Sequence, residues 1–516
     1  PGRRPTGREM SKVEEGVLFP ANSAGRRSTI AGGTAVFAAA AKAVDPALAT
    51  SITSEKKWRQ AYGKWVTELE DASVKSPDAA IKAARAGLEC MYETFEFVRD
   101  GKTSKLADAM AAPAPERKLF SGTVRGGGAK LTALEVPYEG GTLSGEALTT
   151  QLAAWTAYGC LEPAAEAAIA GAATNAGWLD LSGRCFVVLG ATSALGPLHT
   201  LLECGATVIA VARKKPANWA ELIAAARASA GTLVLPLGAD LAADATNEEL
   251  SKAAGADLMV DTPELGAWIV DAVRAAGLPT TVGMYTYLDS DAHVRVSLAA
   301  DAIMAQLAKA QPDVAFAYIQ TPSIAYKIGQ EAHAASESLY KGGMLQYLGY
   351  AKNARPPLTA DVGAAYVHDG ISNVQGPNYA LAKTMQKWRA VLARCDESRV
   401  VSMNVAPAAR TASMVAGDNK NAGTVAVALD GMGHFKPLVV FDQQTVSSCM
   451  AALLIHDLCN GAAPSQPKTP LPHPHDLFHL EAFHGGSFRC GVKPDALGTL
   501  FFLAGKLRGA AAAPKA

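Results

Sequence analysis

An uninterrupted apolar run that ends at a glycine and leads into a helix constrains this chain more than any other feature: Arg184-Cys-Phe-Val-Val-Leu189, then Gly-Ala-Thr-Ser-Ala-Leu-Gly196. A strand without polar alternation is buried on both faces, as in a parallel sheet covered by helices on each side. After it, extended and helical patterns take turns. Strands are expected at Ala206–Ala212, Thr232–Pro236, Asp257–Asp261, Thr280–Tyr285 and Val314–Gln320. Helices are expected at Ala217–Ala228, near Glu248, at Glu264–Ala276 and at Val296–Ala310. This alternation predicts an α/β fold, a doubly wound parallel sheet with right-handed crossovers.

The 516 residues exceed what one hydrophobic core usually organises, so several units are expected. Residues 1–55 read as a tail. Arg26-Arg27 precede the small-residue run Ala31–Ala41 and Pro46-Ala-Leu-Ala49, a targeting-like composition, and Met10 reads as a natural start. Residues 56–180 read as a mainly helical N-terminal region, with Trp58, Tyr62, Trp65, Leu69, Ala80, Ala84, Leu88 and Met91 at helical spacing. A basic glycine loop, Val124–Lys130, falls inside it. The sheet domain is assigned to 181–465 and a C-terminal extension to 466–516, with Ala510–Ala516 as a frayed end.

Charge and cysteine content narrow the function classes. With 48 basic and 48 acidic residues and no run of one sign, nucleic acid is not an expected partner. No stretch reaches the ~18 apolar residues of a bilayer span, which predicts a soluble chain. Eight cysteines stand singly, without a CxxC pair, as suits an intracellular, reducing compartment, the cytoplasm or an organelle such as a plastid. Histidines 473, 475, 479 and 484 could bind a metal by spacing alone. Alternating prolines and the lack of a helical frame favour exposed structural histidines, and no metal site is predicted.

The glycine loop is the first chemical signal. Gly190 permits a tight turn after the strand, and Gly196 lets backbone approach a pyrophosphate at the positive end of the next helix. Gly190-Ala-Thr192-Ser193-Ala-Leu195-Gly196 resembles the TGxxxGxG cofactor loop of short-chain dehydrogenases/reductases, with Leu189 for the threonine and Ala194 for the middle glycine. The resemblance implies a Rossmann-type fold. It also implies that Gly190, Thr192, Ser193, Leu195 and Gly196 line the cofactor. Val211-Ala-Arg213-Lys-Lys215 ends the next strand where NAD-preferring members carry an acidic side chain. Arg213 and Lys214 can instead pair with a 2′-phosphate, so NADPH (NADP) is the expected cofactor. Asp240 resembles the family's adenine-contacting aspartate.

Further along, Gly376-Pro-Asn-Tyr379-Ala-Leu-Ala-Lys383 opens a helical stretch ahead of the strand Val400–Val405, Pro407 and Thr411. This resembles the family's YxxxK helix, sixth strand and PGxxxT loop, with Ala408 for the glycine. A lysine one turn after a tyrosine shares its helix face and lowers a phenol pKa that is ~10 unperturbed. By the resemblance, Tyr379 donates a proton while a nicotinamide delivers hydride, and Lys383 also reaches the cofactor ribose. Pro407 and Thr411 fall to the cofactor as well. The family's catalytic serine shortly precedes the tyrosine. Here the fifth strand ends in Gln320-Thr321-Pro-Ser323, a long insertion follows, and Thr321, Ser323 or Ser372 could fill the place. Asp261-Thr-Pro-Glu264 takes the position of the NNAG stretch, and Ser297 that of a helix asparagine.

The expected function is therefore NADPH-dependent oxidoreduction of a carbonyl or alcohol on a small-molecule substrate. The alternative is a structural or assembly subunit that keeps the fold. Homo-oligomerisation is compatible with either. A third reading, a reductase module detached from a multienzyme synthase, has no carrier-protein serine motif behind it.

Overall fold

The computed structural model describes residues 14–361, 363–411, 422–512 and 514–515; Met10 lies outside them. Seven strands form the central sheet: β1 (Phe120–Arg125), β2 (Cys185–Leu189), β3 (Thr207–Val211), β4 (Thr232–Leu237), β5 (Thr280–Met284), β6 (Ala315–Gln320) and β7 (Val401–Val405). Their order is β7-β6-β5-β2-β3-β4-β1. All neighbours are parallel except β1, which runs antiparallel along β4 from Phe120 opposite Leu237 to Arg125 opposite Thr232. The six parallel strands thus wind outward in both directions from β2, as in a Rossmann-type fold.

Eight helices matter to the site: α1 (Thr29–Lys42), α2 (Trp58–Ser73), α3 (Pro77–Thr94), α4 (Leu198–Glu203), α5 (Thr262–Ala276), α6 (Asp291–Ala310), α7 (Gly376–Val391) and α8 (Gln443–Cys459). The alternation of side chains along a strand sorts them into two layers. Cys185, Val187 and Leu189 of β2 pack with residues of α1, α2, α3, α5, α6 and α7. Phe186 and Val188 face α4, α8 and the helices Gly145–Tyr158 and Pro163–Thr174. No helix among the described residues is long and apolar enough to cross a membrane.

The tail expected at 1–55 is, from Gly16 onward, part of the body. Gly16–Leu18 pairs antiparallel with Glu96–Arg99. Ser28 caps α1 by accepting from the Ala31 amide (3.2 Å). Val36, Phe37, Ala40 and Ala41 of α1 are buried. Phe37 meets Trp58 at 5.8 Å and Trp388 of α7 at 6.2 Å between ring centroids. The small residues that suggested low complexity are what let helices approach: a Cβ on Gly87 of α3 would lie 2.3 Å from the Trp388 ring. The boundary expected at 180 is not a boundary either. β1 belongs to the sheet and α1–α3 to its core.

Three other expectations change. Asp257–Asp261 is a turn, because the Asp257 carboxylate accepts from the amides of Met259 (2.9 Å) and Val260 (3.3 Å). The C-terminal histidines are buried and paired: His475 with Glu70 (2.9 Å), His479 with Asp476 (3.0 Å) and His484 with Glu162 (2.9 Å). The end expected to fray is also held, the Pro514 carbonyl accepting from Tyr138 (2.5 Å) and Gln151 (2.8 Å).

Candidate active site

Strand order reverses between β2 and β5, and in such sheets the crevice beyond the strands' C-terminal ends is where ligands bind. One wall is the glycine loop. Gly190 has φ +93°, and a Cβ there would stand 3.0 Å from the Tyr285 carbonyl, so turn and close approach both require glycine. The amides of Gly190 and Ala191 both donate to the Val211 carbonyl (3.0 and 2.9 Å). Ser193 then donates to Gly190 (2.9 Å) and Gly196 to Ser193 (3.0 Å), two successive tight turns. Thr192 is exposed, Ser193 and Leu195 are half-buried, and Gly196 is buried. From α8, Ser447 donates to the Gly196 carbonyl (3.2 Å). Helix α4, which follows, has only six residues.

Beyond β3, Arg213 and Lys214 are exposed, and the turn is fixed by the Trp219 indole donating to the Arg213 carbonyl (3.1 Å). The Lys214 ammonium lies close to Gly238 in the loop after β4, where Asp240 is also exposed.

The other wall carries the hydroxyl chemistry. Thr321 and Ser323, just past β6, have their hydroxyl oxygens 2.6 Å apart, and both hydrogen-bond the Tyr379 phenol, as does Gln375. Three of the five residues singled out in the sequence for this chemistry therefore meet across the 324–373 insertion. That insertion forms a three-stranded sheet, Ala325–Ile328, Leu358–Ala360 and Gly363–Asp369, with the helix Gln330–Gly342. Ser372 is placed elsewhere, its carbonyl accepting from Tyr62 (2.8 Å). The phenol of half-buried Tyr379 is pushed up by burial and pulled back by the Thr321, Ser323 and Gln375 hydrogen bonds.

Lys383 is buried one turn along α7, but its ammonium turns to β6 and away from the phenol. It donates to the Ile319 carbonyl (3.0 Å) and to Gln386 Oε1 (3.3 Å). Gln386 Oε1 also accepts from Gln320 (2.9 Å). Burial among neutral groups brings the Lys383 pKa down to about 8. The lysine thus has no direct hold on the phenol here, a departure from the expected division of labour. Pro407 follows β7 at the same sheet end, since Val405 pairs with Gln320 and the Ala406 amide donates to the Gln320 carbonyl (3.0 Å). Pro407 and Thr411 are buried, and the chain from 412 to 421 lies outside the described residues.

The loop after the fourth parallel strand is Tyr285–Ser290, not Asp261–Glu264. The latter opens α5, where Glu264 pairs with Arg99 (2.7 Å). This shift brings in residues that sequence reasoning missed. His293, in the first turn of α6, stacks on Tyr379 with centroids 5.3 Å apart and an interplanar angle of 22°. Tyr287 meets both rings edge-on or tilted, at 6.3 Å from Tyr379 and 5.1 Å from His293. His293 Nδ1 accepts from the Leu288 amide (3.4 Å), which leaves the proton of a neutral ring on Nε2. Burial, aided by the Lys383 charge, depresses its pKa to about 3. His293 Nε2, Thr286 Oγ1 and Ser297 Oγ are buried without a hydrogen-bond partner among the described residues. The available signal was positional: these residues flank the C-terminal end of a central strand.

No protein-family profile matches the chain, and no curated protein matches its sequence. Among solved structures, it is similar to the terminal R domain from the myxalamid PKS-NRPS biosynthetic pathway, with TM-score 0.28 and 14% identity, over 52% of this chain and 61% of that one. It is also similar to a thiolation-reductase di-domain from an archaeal non-ribosomal peptide synthetase, with TM-score 0.26 and 13% identity, over 81% and 71%. The chain spans about three fifths of the length of the first. Superpositions this loose assign no role to any residue.

Proposed function

We propose that the chain is an NADPH-dependent reductase of the short-chain dehydrogenase/reductase type, acting on the carbonyl group of a small molecule. The observation that carries this reading is the meeting of the Thr321, Ser323 and Tyr379 hydroxyls beside the switch-point crevice, with Lys383 one turn away. The residue types fit a dinucleotide: Gly190 and Gly196 hold the tight turns that end β2 beside the switch point, where a pyrophosphate would meet the loop. Exposed Arg213 and Lys214 offer positive charge for a 2′-phosphate, and exposed Asp240 lies in the neighbouring loop. When bound, the reduced nicotinamide supplies the hydride. Thr321 and Ser323 orient the substrate oxygen. Tyr379 releases its phenolic proton to that oxygen and recovers a proton from water once the product has left. The hydrogen bonds that Tyr379 accepts favour the phenolate left behind.

The test is turnover of NADPH with a broad carbonyl panel by the native chain and by Tyr379→Phe. Loss of the positioned acid is expected to cost roughly 10²–10⁴ in rate while NADPH binding survives. Full activity of Tyr379→Phe on a confirmed substrate would overturn the assignment of the acid.

A further inference from the structure

Ser402 and Asn404 of β7 point into the layer of α8, on the sheet face opposite α7. Both donate to one oxygen of the Asp457 carboxylate, Oδ2, at 2.6 and 2.8 Å. Glu481, from the C-terminal extension, hydrogen-bonds the same carboxyl group. His456 Nδ1 stands 3.6 Å from Glu481 Oε1. The donor atoms of His456, Asp457 and Glu481 all lie within 4.8 Å of one another. The side chains of His456 and Glu481 are 8% and 10% exposed, and Asp457 is 2% exposed.

The charge inventory of this cluster is incomplete. Two carboxyl groups are buried in contact, and the hydrogen bonds to Asp457 come from the neutral Ser402 and Asn404. No lysine or arginine pairs with Asp457 or Glu481 among the described residues; the basic group beside Glu481 is the His456 imidazole. The Nδ1 atom of that ring is buried, aimed into the cluster and without a hydrogen-bond partner. Adjacent buried carboxylates are costly unless a cation or a shared proton offsets them.

We propose that His456, Asp457 and Glu481 bind one divalent metal ion of the zinc class, through Nδ1 and one oxygen of each carboxylate. One imidazole and two carboxylates suit zinc, with a fourth position left for water. The 3.6 Å between His456 Nδ1 and Glu481 Oε1 is close to the ~3.4 Å expected between two ligands of a tetrahedral zinc ion. Ligation through Nδ1 places the ring proton on Nε2, where a ligand histidine normally donates to an outer partner. Asn460 sits there, 2.8 Å from Nε2. It must turn its amide oxygen to the ring and release the Ala462 amide, which is exposed and finds water instead. The ion would tie α8 and the last strand of the sheet to the C-terminal extension.

The full chain, stripped with chelator and dialysed against zinc, is expected to bind one equivalent through this cluster. Glu481→Gln, which keeps size and removes charge, is expected to lose that equivalent. Zinc should raise the melting temperature of the native chain by several degrees and leave that of Glu481→Gln unchanged. A readout without substitution is the ¹⁵N spectrum of histidine-labelled native chain, where zinc should shift His456 Nδ1 and move the ring proton to Nε2. No bound equivalent, equal binding by Glu481→Gln, or an unmoved His456 resonance overturns the proposal and leaves the carboxyl pair sharing a proton.

Discussion

A neutral imidazole against the Tyr379 ring carries a penalty that depends on pH. In the unfolded chain His293 has the ordinary pKa of ~6.5. In the folded chain burial, and then the Lys383 charge, bring it down to about 3. Between these values the unfolded state binds the extra proton, so stability is fully present above pH ~6.5 and falls as the solution is acidified. At pH 5 this one ring should have removed about 2 kcal/mol relative to neutral pH. His293→Phe keeps an aromatic ring and discards the proton. Denaturant midpoints from pH 7.5 to 5 should therefore decline less steeply in the variant, by about that amount; parallel curves would show that His293 is solvated. A second residue, by the proposed function, sets cofactor choice. Arg213 is exposed and pairs with no carboxylate among the described residues, so its charge is available to a phosphate. Arg213→Asp should invert a preference for NADPH over NADH, measured by binding titration with both. Equal affinities in the native chain would remove the 2′-phosphate from the argument.

Helix α1 shows what a composition-based reading loses. Alanine and glycine carry no period, so Thr29–Lys42 resembles a tail in sequence, yet its small residues allow α1 to sit against α7, with Phe37 meeting Trp388. Phe37→Ala should cost roughly 3–5 kcal/mol, as for other large-to-small changes at a fully buried aromatic. A chain beginning at Glu55 should melt many degrees lower, or fail to fold, by circular dichroism. An unchanged melting curve would mean that α1 only decorates the core. The parallel strands were legible because two-sided burial leaves unbroken apolar runs. Tyr379 and its hydroxyl partners were legible because residue type and helix position survive a long insertion. β1 was not, since its partner β4 lies over a hundred positions downstream and antiparallel edge pairing leaves no local mark. Asp257–Asp261 reads as a strand by hydrophobicity, but the Asp257 side chain competes for the backbone. The buried histidines of the extension were hidden among prolines that suggest a loop. His293 and Tyr287 were missed once the fourth parallel strand was placed one element too early.

At the scale of the molecule, one carboxylate fastens three parts of the chain to one another. Glu70 of α2 accepts from Lys387 Nζ of α7 (2.9 Å), from His475 of the C-terminal extension (2.9 Å) and from the Lys327 amide of the insertion (3.1 Å). Burial alone would raise its pKa, but His475 and Lys387 together hold the carboxyl well below the usual range. Lys387 is 3% exposed, also donates to the Ala325 carbonyl (2.9 Å) and lies over the Tyr326 ring at 4.6 Å. Next to it, Lys327 pairs with Asp476 of the same extension. Removing one member of a buried pair strands the other charge, so Glu70→Ala should cost roughly 3–5 kcal/mol. Lys387→Met in the Glu70→Gln background removes the stranded ammonium and leaves a methionine to pack under the Tyr326 and Phe478 rings. That double variant should be more stable than Glu70→Gln alone, which a double-mutant cycle of denaturant midpoints measures directly. Deleting 466–516 removes His475 and Asp476 together with buried Phe478, Phe483 and Phe488, and should abolish cooperative melting altogether. If the truncated chain melts cooperatively near the native temperature, the extension is an appendage. If the double variant is no better than Glu70→Gln, the Lys387 charge is already solvated and Glu70 is not the fastening point.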